Sequence, residues 1–277
     1  MLWIQDDREA LKEAVSVKNV SVIAGPNLYI FPEEIPKDLD LSKILYIHPS
    51  PSARDIWIRR GYRRSHIDYW PVGIDTNEFK PSKKEKKFVL LYTKHRPKKD
   101  LEKIENILKG KNIEYKTIRY GSYKENLYKS LLEETKYIIW LGKEESQGIA
   151  LEEALSADVP ILVWDLPKAT AAFYFDPRCG LKIENESELE EAVMKMESGL
   201  SRFSPRQYIL ENLNLEKQAQ DFLFLYEKYF QKKYREEIRF ESQVEGKNWK
   251  NGKIYYKAYY ISLSILKHWV RKGLNLF

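Results

Sequence analysis

From residue 87 onward, short apolar runs rich in β-branched and aromatic residues alternate with longer segments of helical spacing. The predicted strands are KFVLLYT (87–93), IEYKTIRYG (113–121), KYIIWLG (136–142) and PILVWD (160–165). The predicted helices between them are DLEKIENILKG (100–110, with Gly110 as the C-cap), YKENLYKSLLEET (123–135) and SQGIALEEALSA (146–157). This alternation predicts βαβ units around a parallel sheet, as in a Rossmann-type domain.

The residues before this region predict a second, smaller α/β domain. Three short strand candidates, VSVIAGPN (20–27), KILYIHPS (43–50) and HIDYWPVG (66–73), are separated by proline-containing turns and by one amphipathic segment, ARDIWIRRGY (53–62). Turn formers and a lysine run then indicate a linker. We therefore expect an N-terminal domain at 1–75, a linker at 76–87, a larger domain at 88–234 and an aromatic, basic helical tail at 235–277.

Composition limits the kinds of partner and the cellular compartment that fit this protein, but it does not identify a function. The formal charge of +6 and the pI near 9.0 suit an anionic ligand, nucleic acid or an acidic membrane surface. A single cysteine, Cys179, excludes an internal disulfide framework and suits a reducing compartment. The chain starts with acidic residues where a signal peptide would be basic, so export is not expected and the cytoplasm is the default. The four histidines show no metal-ligand spacing, and we expect no metal site.

The chemistry is concentrated in ESQGIALEEALSADVP (145–160). Glu145 and Glu153 bracket the start and the second turn of a predicted helix, and a carboxylate can accept two hydrogen bonds from the hydroxyls of a sugar or a ribose. The helix opens at Ser146, Gln147, Gly148 and Ile149, where free N–H groups would face a diphosphate. Two glutamates at this spacing are also compatible with ordinary solvated charges.

The surrounding sequence resembles the donor-binding segment of retaining GT-B glycosyltransferases (group 1, family 4-like), in which a Glu-x7-Glu pair is followed by Glu-Ala and Val-Pro. PVGIDTNEFKP (71–81) resembles the interdomain signature of that family, and FYFDPRCGLKIENESELEEAV (173–193) resembles the stretch after its donor site. LEKQAQDFLFLYEKY (215–229) resembles its terminal helix, so that the resemblance covers about residues 66–230. It implies two Rossmann-like domains facing a cleft, here with a reduced N-terminal domain on the acceptor side.

The resemblance also implies roles for individual residues. Glu145 corresponds to the glutamate that contacts the donor sugar, and Glu153 to the one that holds the ribose hydroxyls. A basic pair after the first strand grips the diphosphate, and the candidates are Arg96 with Lys98 or Lys99, with Lys94 as a substitute. These cations would neutralise charge that grows on the leaving diphosphate without a bound metal.

We therefore expect a hexosyltransferase that uses a UDP- or GDP-sugar, transfers to a glycan, lipid or protein acceptor with retention, and holds no permanent cofactor. A nucleotide-sugar epimerase of the same fold and a non-catalytic sugar-nucleotide-binding subunit are the alternatives. Nucleic acid is not expected as a partner, and oligomerisation stays open. Residues 253–272 could contact a membrane surface or pack back on the protein, and the spread of apolar residues around that helix favours packing.

Overall fold

A computed structural model describes residues 2–230, apart from residues 19, 27, 143–144 and 166–174. The predicted tail at 235–277 lies outside the described residues. The described chain forms two compact α/β units, each with its own parallel sheet. Among the described residues, one unit consists of 2–70 together with 219–230, and the other consists of Pro71–Gln218. The predicted α/β fold class with two parallel sheets is confirmed.

The first unit is a four-stranded sheet in the order β1-β2-β3-β4 with every pair parallel. Its strands and helices are β1 (Leu2–Ile4), α1 (Arg8–Ser16), β2 (Val22–Ala24), β3 (Ile44–His48), α2 (Pro51–Arg59) and β4 (Ile67–Tyr69). Strands β2 to β4 match the three predicted ones. Strand β1 was not expected, because three residues are too few to show a period.

Alternation along β3 gives this sheet two apolar faces. Ile44 and Tyr46 face a core that also contains Leu11 of α1 and Trp57 of α2. Leu45 and Ile47 face a second cluster with Trp70 and Leu225. A sheet buried on both faces needs cover on both, and helix α8 (Leu215–Phe230) supplies the second layer.

Helix α8 is fastened to the first unit by a polar cluster as well as by packing. Phe222 contacts Trp3 and Trp70, with ring centroids 5.6 and 4.8 Å apart. The Lys228 ammonium lies 2.9 Å from Asp68 Oδ2, and the Tyr229 hydroxyl donates to the same oxygen at 3.0 Å. This cover explains why residues 219–230 group with the first unit, whereas the sequence predicts them as part of the larger domain at 88–234.

The second unit is a five-stranded parallel sheet in the order β6-β5-β7-β8-β9. Its elements are β5 (Phe88–Lys94), α3 (Lys98–Gly110), β6 (Tyr115–Arg119), α4 (Glu125–Leu132), β7 (Thr135–Gly142), α5 (Ile149–Ser156), β8 (Ile161–Trp164), β9 (Gly180–Ile183), α6 (Leu189–Ser198) and α7 (Pro205–Asn212). Gly110 is the last residue of α3 and not its predicted cap, since Lys111 occupies the cap position.

Both faces of this sheet are covered by helices, which is why its central strands read as continuous apolar runs. Leu90 and Ile138 belong to a core with α4, α5 and α7, while Val89 and Ile139 belong to one with α3 and α6. The carboxyl ends of β5, β7 and β8 therefore emerge at one edge between two helical layers. Among the described helices, none has both the length and the apolar character needed to cross a bilayer.

Candidate active site

The candidate site lies at the carboxyl edge of the five-stranded sheet, where α/β folds of this kind usually bind ligands. Lys94 ends β5 and Gly142 ends β7, and the two residues are partners in register. Glu145, Ser146 and Gln147 follow β7 and precede α5. The fold therefore brings the end of the first strand next to the segment that carries the predicted glutamate.

Lys94 and Glu145 form a direct ion pair at this edge. The Lys94 ammonium lies 2.9 Å from Glu145 Oε2, and the two side chains are only 17% and 11% exposed. The other oxygen, Glu145 Oε1, accepts the Ser146 N–H at 3.1 Å. The same ammonium lies 4.6 Å from the centre of the Tyr120 ring. Partial burial strengthens the attraction between the two charges, and the ion pair keeps both side chains at the carboxyl edge of the sheet.

Gln147 braces the segment that leads into α5. Its Oε1 accepts the Val72 N–H at 3.0 Å, and its Nε2 donates to the Val72 carbonyl and to Glu152 Oε2, both at 2.8 Å. Both amide protons are thus engaged within the protein. The structure places Gln147 as a buried support for the loop, so the predicted contact with the ligand is not available to its amide donors.

Gly148 allows the loop to turn directly into α5. Its φ of 84° and ψ of 44° lie in the left-handed region, which a glycine adopts without strain. The Gly148 carbonyl accepts the Leu151 N–H at 2.8 Å and starts the helix. The first-turn N–H groups at Ile149 therefore point toward the same end of the helix as Glu145, where the helix dipole favours negative charge.

Glu153 lies in the second turn of α5, in a partly buried position. Burial, together with the charges of Glu125 and Glu78 and against that of Lys129, raises its pKa to about 7. Lys129 is itself engaged by ion pairs with Glu125, at 2.7 Å, and with Glu78. Glu153 is thus a carboxyl that is close to half-ionised at neutral pH.

Tyr123 connects the two glutamates of the motif. The charges of Glu153 and Glu145 both raise the pKa of its phenol, after the larger effect of burial, so both carboxylates lie within electrostatic range of one hydroxyl. That hydroxyl is 2.9 Å from the Tyr92 hydroxyl, and the Tyr128 ring lies 5.4 Å from the Tyr123 ring. The sequence did not single out these three tyrosines, because a tyrosine in a predicted strand or helix looks the same whether it lies in a core or near a site.

Arg96 occupies a different position from the one expected of a phosphate ligand. Its guanidinium is 1% exposed and donates to Asp100 Oδ2 at 2.8 Å. It also donates to the carbonyls of Gly142, at 2.9 Å, and Trp164, at 3.1 Å, and stacks over the Trp164 ring at 4.5 Å. Arg96 therefore joins the carboxyl ends of β7 and β8 to the first turn of α3.

The two other predicted cations lie on the surface of α3. Lys98 is 88% exposed and pairs with Glu102 at 3.1 Å, and Lys99 is also exposed. Of the predicted basic residues, only Lys94 is placed beside Glu145 in the described part of the chain. A metal-binding cluster of His, Cys, Asp or Glu side chains is absent from the residues that the structure describes.

Comparison with solved structures defines the fold. TarM of S. aureus matches at a TM-score of 0.54 and 16% identity, over 76% of this chain and 51% of TarM. The GtfA/B complex matches at 0.54 and 12%, over 76% of this chain and 53% of the other. Anabaena Alr3699/HepE with UDP and glucose matches at 0.54 and 11%, over 75% and 72%. No protein-family model and no curated protein sequence matches the chain.

These similarities show that the chain has the GT-B fold predicted from the paired-glutamate motif. The chain spans about half the length of TarM and of the GtfA/B protein, 51% and 53% respectively.

The contacts of Arg96 predict a structural role for the buried guanidinium. We expect Arg96→Met to lower the free energy of unfolding in urea by about 3–5 kcal/mol, because it leaves Asp100 buried and unpaired. Arg96→Met/Asp100→Leu should recover most of that loss. Lys98→Met, which removes an exposed pair of the same four-residue spacing at the start of α3, is the control and should have little effect. Equal losses in the two single variants would contradict the role.

The environment of Glu152 predicts a pH-dependent stability. Burial raises its pKa to about 8, against the hydrogen bond from Gln147. In the unfolded chain the Glu152 carboxyl has its ordinary pKa of 4.5, so this group makes stability fall as pH rises from there through 8. In Glu152→Gln, urea unfolding should lose that component, and the variant should be more stable than the parent at pH 9. Glu85→Gln, at an exposed position, should follow the parent at every pH, and a Glu152→Gln profile that did the same would disprove this assignment.

Proposed function

We propose that the chain is a glycosyltransferase that transfers a hexose from a UDP-sugar to an acceptor hydroxyl. The observation that carries the proposal is the partly buried Lys94–Glu145 pair beside the N-terminus of α5, in a GT-B fold. The pair offers a cation for a phosphate and a carboxylate for sugar hydroxyls at one edge of the sheet. HepE, a protein of similar fold, has been crystallised with UDP-glucose, which supports the choice of UDP over GDP.

In the proposed complex, Lys94 takes the role that the sequence assigned to Arg96 with Lys98 or Lys99. Arg96 is committed to Asp100 and to two strand ends, while Lys98 and Lys99 face solvent on α3. Lys94 and the N–H groups at the start of α5 stabilise the charge that grows on the diphosphate as its bond to the anomeric carbon breaks. Arg96 keeps the strand ends that carry these groups in place.

In the proposed complex, the two carboxyls of the motif bind the hexose and the ribose of the donor. Glu145, whose Oε2 is held by Lys94 in the free protein, accepts hydrogen bonds from the hexose once the ammonium moves to the phosphate. Glu153, in the second turn of α5, accepts hydrogen bonds from the ribose hydroxyls. Retention, independence from metal and a cytoplasmic location are further parts of the proposal, and they rest on the sequence resemblance and on the single cysteine.

One observation favours a second candidate function, a sugar-nucleotide-binding subunit without activity of its own. The first unit has a four-stranded sheet, and the whole chain spans about half the length of TarM, 51% of it. Binding of UDP-glucose without hydrolysis or transfer to any tested acceptor would favour this candidate. Stabilisation of the protein by none of the UDP-, GDP- and ADP-sugars in a thermal-shift screen would contradict both candidates.

The pKa of Glu153 predicts how donor affinity depends on pH. UDP-glucose has no group that titrates between pH 6 and 8, whereas Glu153 has a pKa of about 7 and must be ionised to accept from both ribose hydroxyls. Affinity measured by calorimetry should therefore rise from pH 6 and level off by pH 8.

Glu153→Gln should lower the affinity at pH 8 by about tenfold, the worth of one charged hydrogen bond, and should flatten the profile. Glu125→Gln removes a neighbouring negative charge, so it should keep the affinity at pH 8 and move the midpoint to lower pH. Unchanged affinity in Glu153→Gln would contradict the assignment of this residue to the donor.

The position of Lys94 predicts a defect specific to the diphosphate. Lys94→Met should weaken UDP binding by about ten- to a hundredfold, which corresponds to one charge-assisted hydrogen bond, and should leave uridine binding unchanged. Lys98→Met and Lys99→Met should bind UDP like the parent.

Glu145→Gln tests whether loss of the ion pair explains the defect. UDP lacks the sugar, so this variant should bind UDP at least as well as the parent while losing affinity for UDP-glucose. A loss of UDP binding in Lys99→Met but not in Lys94→Met would contradict this assignment and would favour Lys99 of α3 as the residue that binds the diphosphate.

A further inference from the structure

The end of α2 carries a dense positive charge that the candidate donor site does not use. The run RRGYRR (59–64) places four arginines within six residues. Helix α2 ends at Arg59, and Gly61 turns the chain with a φ of 91°. Tyr62 is buried against Trp57, with ring centroids 5.2 Å apart, so that the residues on either side of it face outward. The arginines are thus displayed on a rigid base.

Most of this charge is not neutralised by the protein. Arg59, Arg63 and Arg64 are exposed, and within the described residues none of them lies in an ion pair. Arg60 is the exception, with its Nη1 3.0 Å from Glu33 Oε1. The neighbouring acid Glu34 is engaged by Arg8 at 2.9 Å. The local balance is therefore strongly positive.

An apolar loop lies beside Arg60, the second arginine of this run. Ile30 is 72% exposed, the largest exposed fraction among the large apolar side chains of the described residues. Its carbonyl accepts the Trp57 indole N–H at 3.0 Å, which fastens the loop to α2. Arg60 covers the Phe31 ring at 3.8 Å. We call this surface the arginine patch, and it consists of Ile30, Phe31, Arg59, Arg60, Arg63 and Arg64.

We infer that the arginine patch binds the surface of an anionic lipid bilayer. Cations attract the lipid headgroups, and an uncovered isoleucine on a rigid loop enters the boundary between headgroups and acyl chains. A nucleic acid fits the surface less well, because it offers no apolar layer for Ile30 and because Arg60 already covers one face of the Phe31 ring. The inference is independent of the proposed function.

The first experiment measures binding of the full-length chain to vesicles of phosphatidylglycerol and phosphatidylcholine by sedimentation. Each arginine near an anionic surface contributes about fivefold to the partition coefficient. Arg59→Gln/Arg63→Gln/Arg64→Gln should therefore bind mixed anionic vesicles about a hundredfold more weakly at low salt. The control Lys83→Gln/Lys109→Gln/Lys195→Gln removes the same charge from exposed positions of the second unit and should bind much like the parent.

Equal losses in the two triple variants would overturn the inference, because net charge alone would then explain binding. Loss of RNA binding, with vesicle binding unchanged, in the arginine variant would also overturn it in favour of a nucleic-acid partner. Near-identical thermal unfolding of both variants is expected, since all six side chains are exposed.

The second experiment tests for insertion of the apolar loop. Cys179 is the only cysteine and is buried, so Ile30→Cys provides one accessible thiol for an environment-sensitive fluorophore. Its emission should shift to the blue and brighten with phosphatidylglycerol vesicles and stay unchanged with phosphatidylcholine alone. The same label at Met194→Cys, on an exposed site of the second unit, should not respond. No response at position 30, or an equal response at both positions, would contradict the inference.

Discussion

The buried guanidinium of Arg96 holds together the part of the second unit on which the candidate site depends. Parallel strands end with carbonyls that have no partner in the next strand, and at this edge two of them, Gly142 and Trp164, accept from one side chain. The positive charge of this buried guanidinium is balanced by Asp100 in the first turn of α3. One ion pair thus ties two strand ends to a helix, and the loop that leads from β7 to Glu145 starts from one of these carbonyls.

Two adjacent residues of α5 show how position sets the chemistry of identical side chains. Glu152 is buried, and this burial raises its pKa to about 8 although its carboxyl accepts a hydrogen bond from Gln147. For Glu153, the next residue of the helix, burial and then the charges of Glu125 and Glu78 raise the pKa to about 7, while Lys129 lowers it. The first is suited to supporting the loop through Gln147, while the second remains able to accept from a ligand. A motif of glutamates alone does not separate these two tasks.

In the first unit, helix α8, from the end of the described chain, covers one face of the small sheet. Three of its elements, β1, β3 and β4, place Trp3, Ile47 and Asp68 where α8 packs and pairs. With both faces of the sheet occupied, Ile30 is the most exposed large apolar residue among those that the structure describes, and Arg59, Arg63 and Arg64 have no ion-pair partner among those residues. The unit therefore combines a closed core with one surface whose composition suits an anionic layer.

The sequence by itself determined strands β5 to β8, helices α3 to α5 and the place of the motif, because buried parallel strands read as apolar runs and the helices between them keep their period. It also indicated the fold class, through ESQGIALEEALSADVP. Only the tertiary structure decided which cation accompanies Glu145, since Lys94, Arg96, Lys98 and Lys99 are equivalent in the sequence and differ in burial and partners. It also decided that Gln147 supports the loop and that α8 covers the first unit, because such contacts join residues far apart along the chain, where local patterns carry no information.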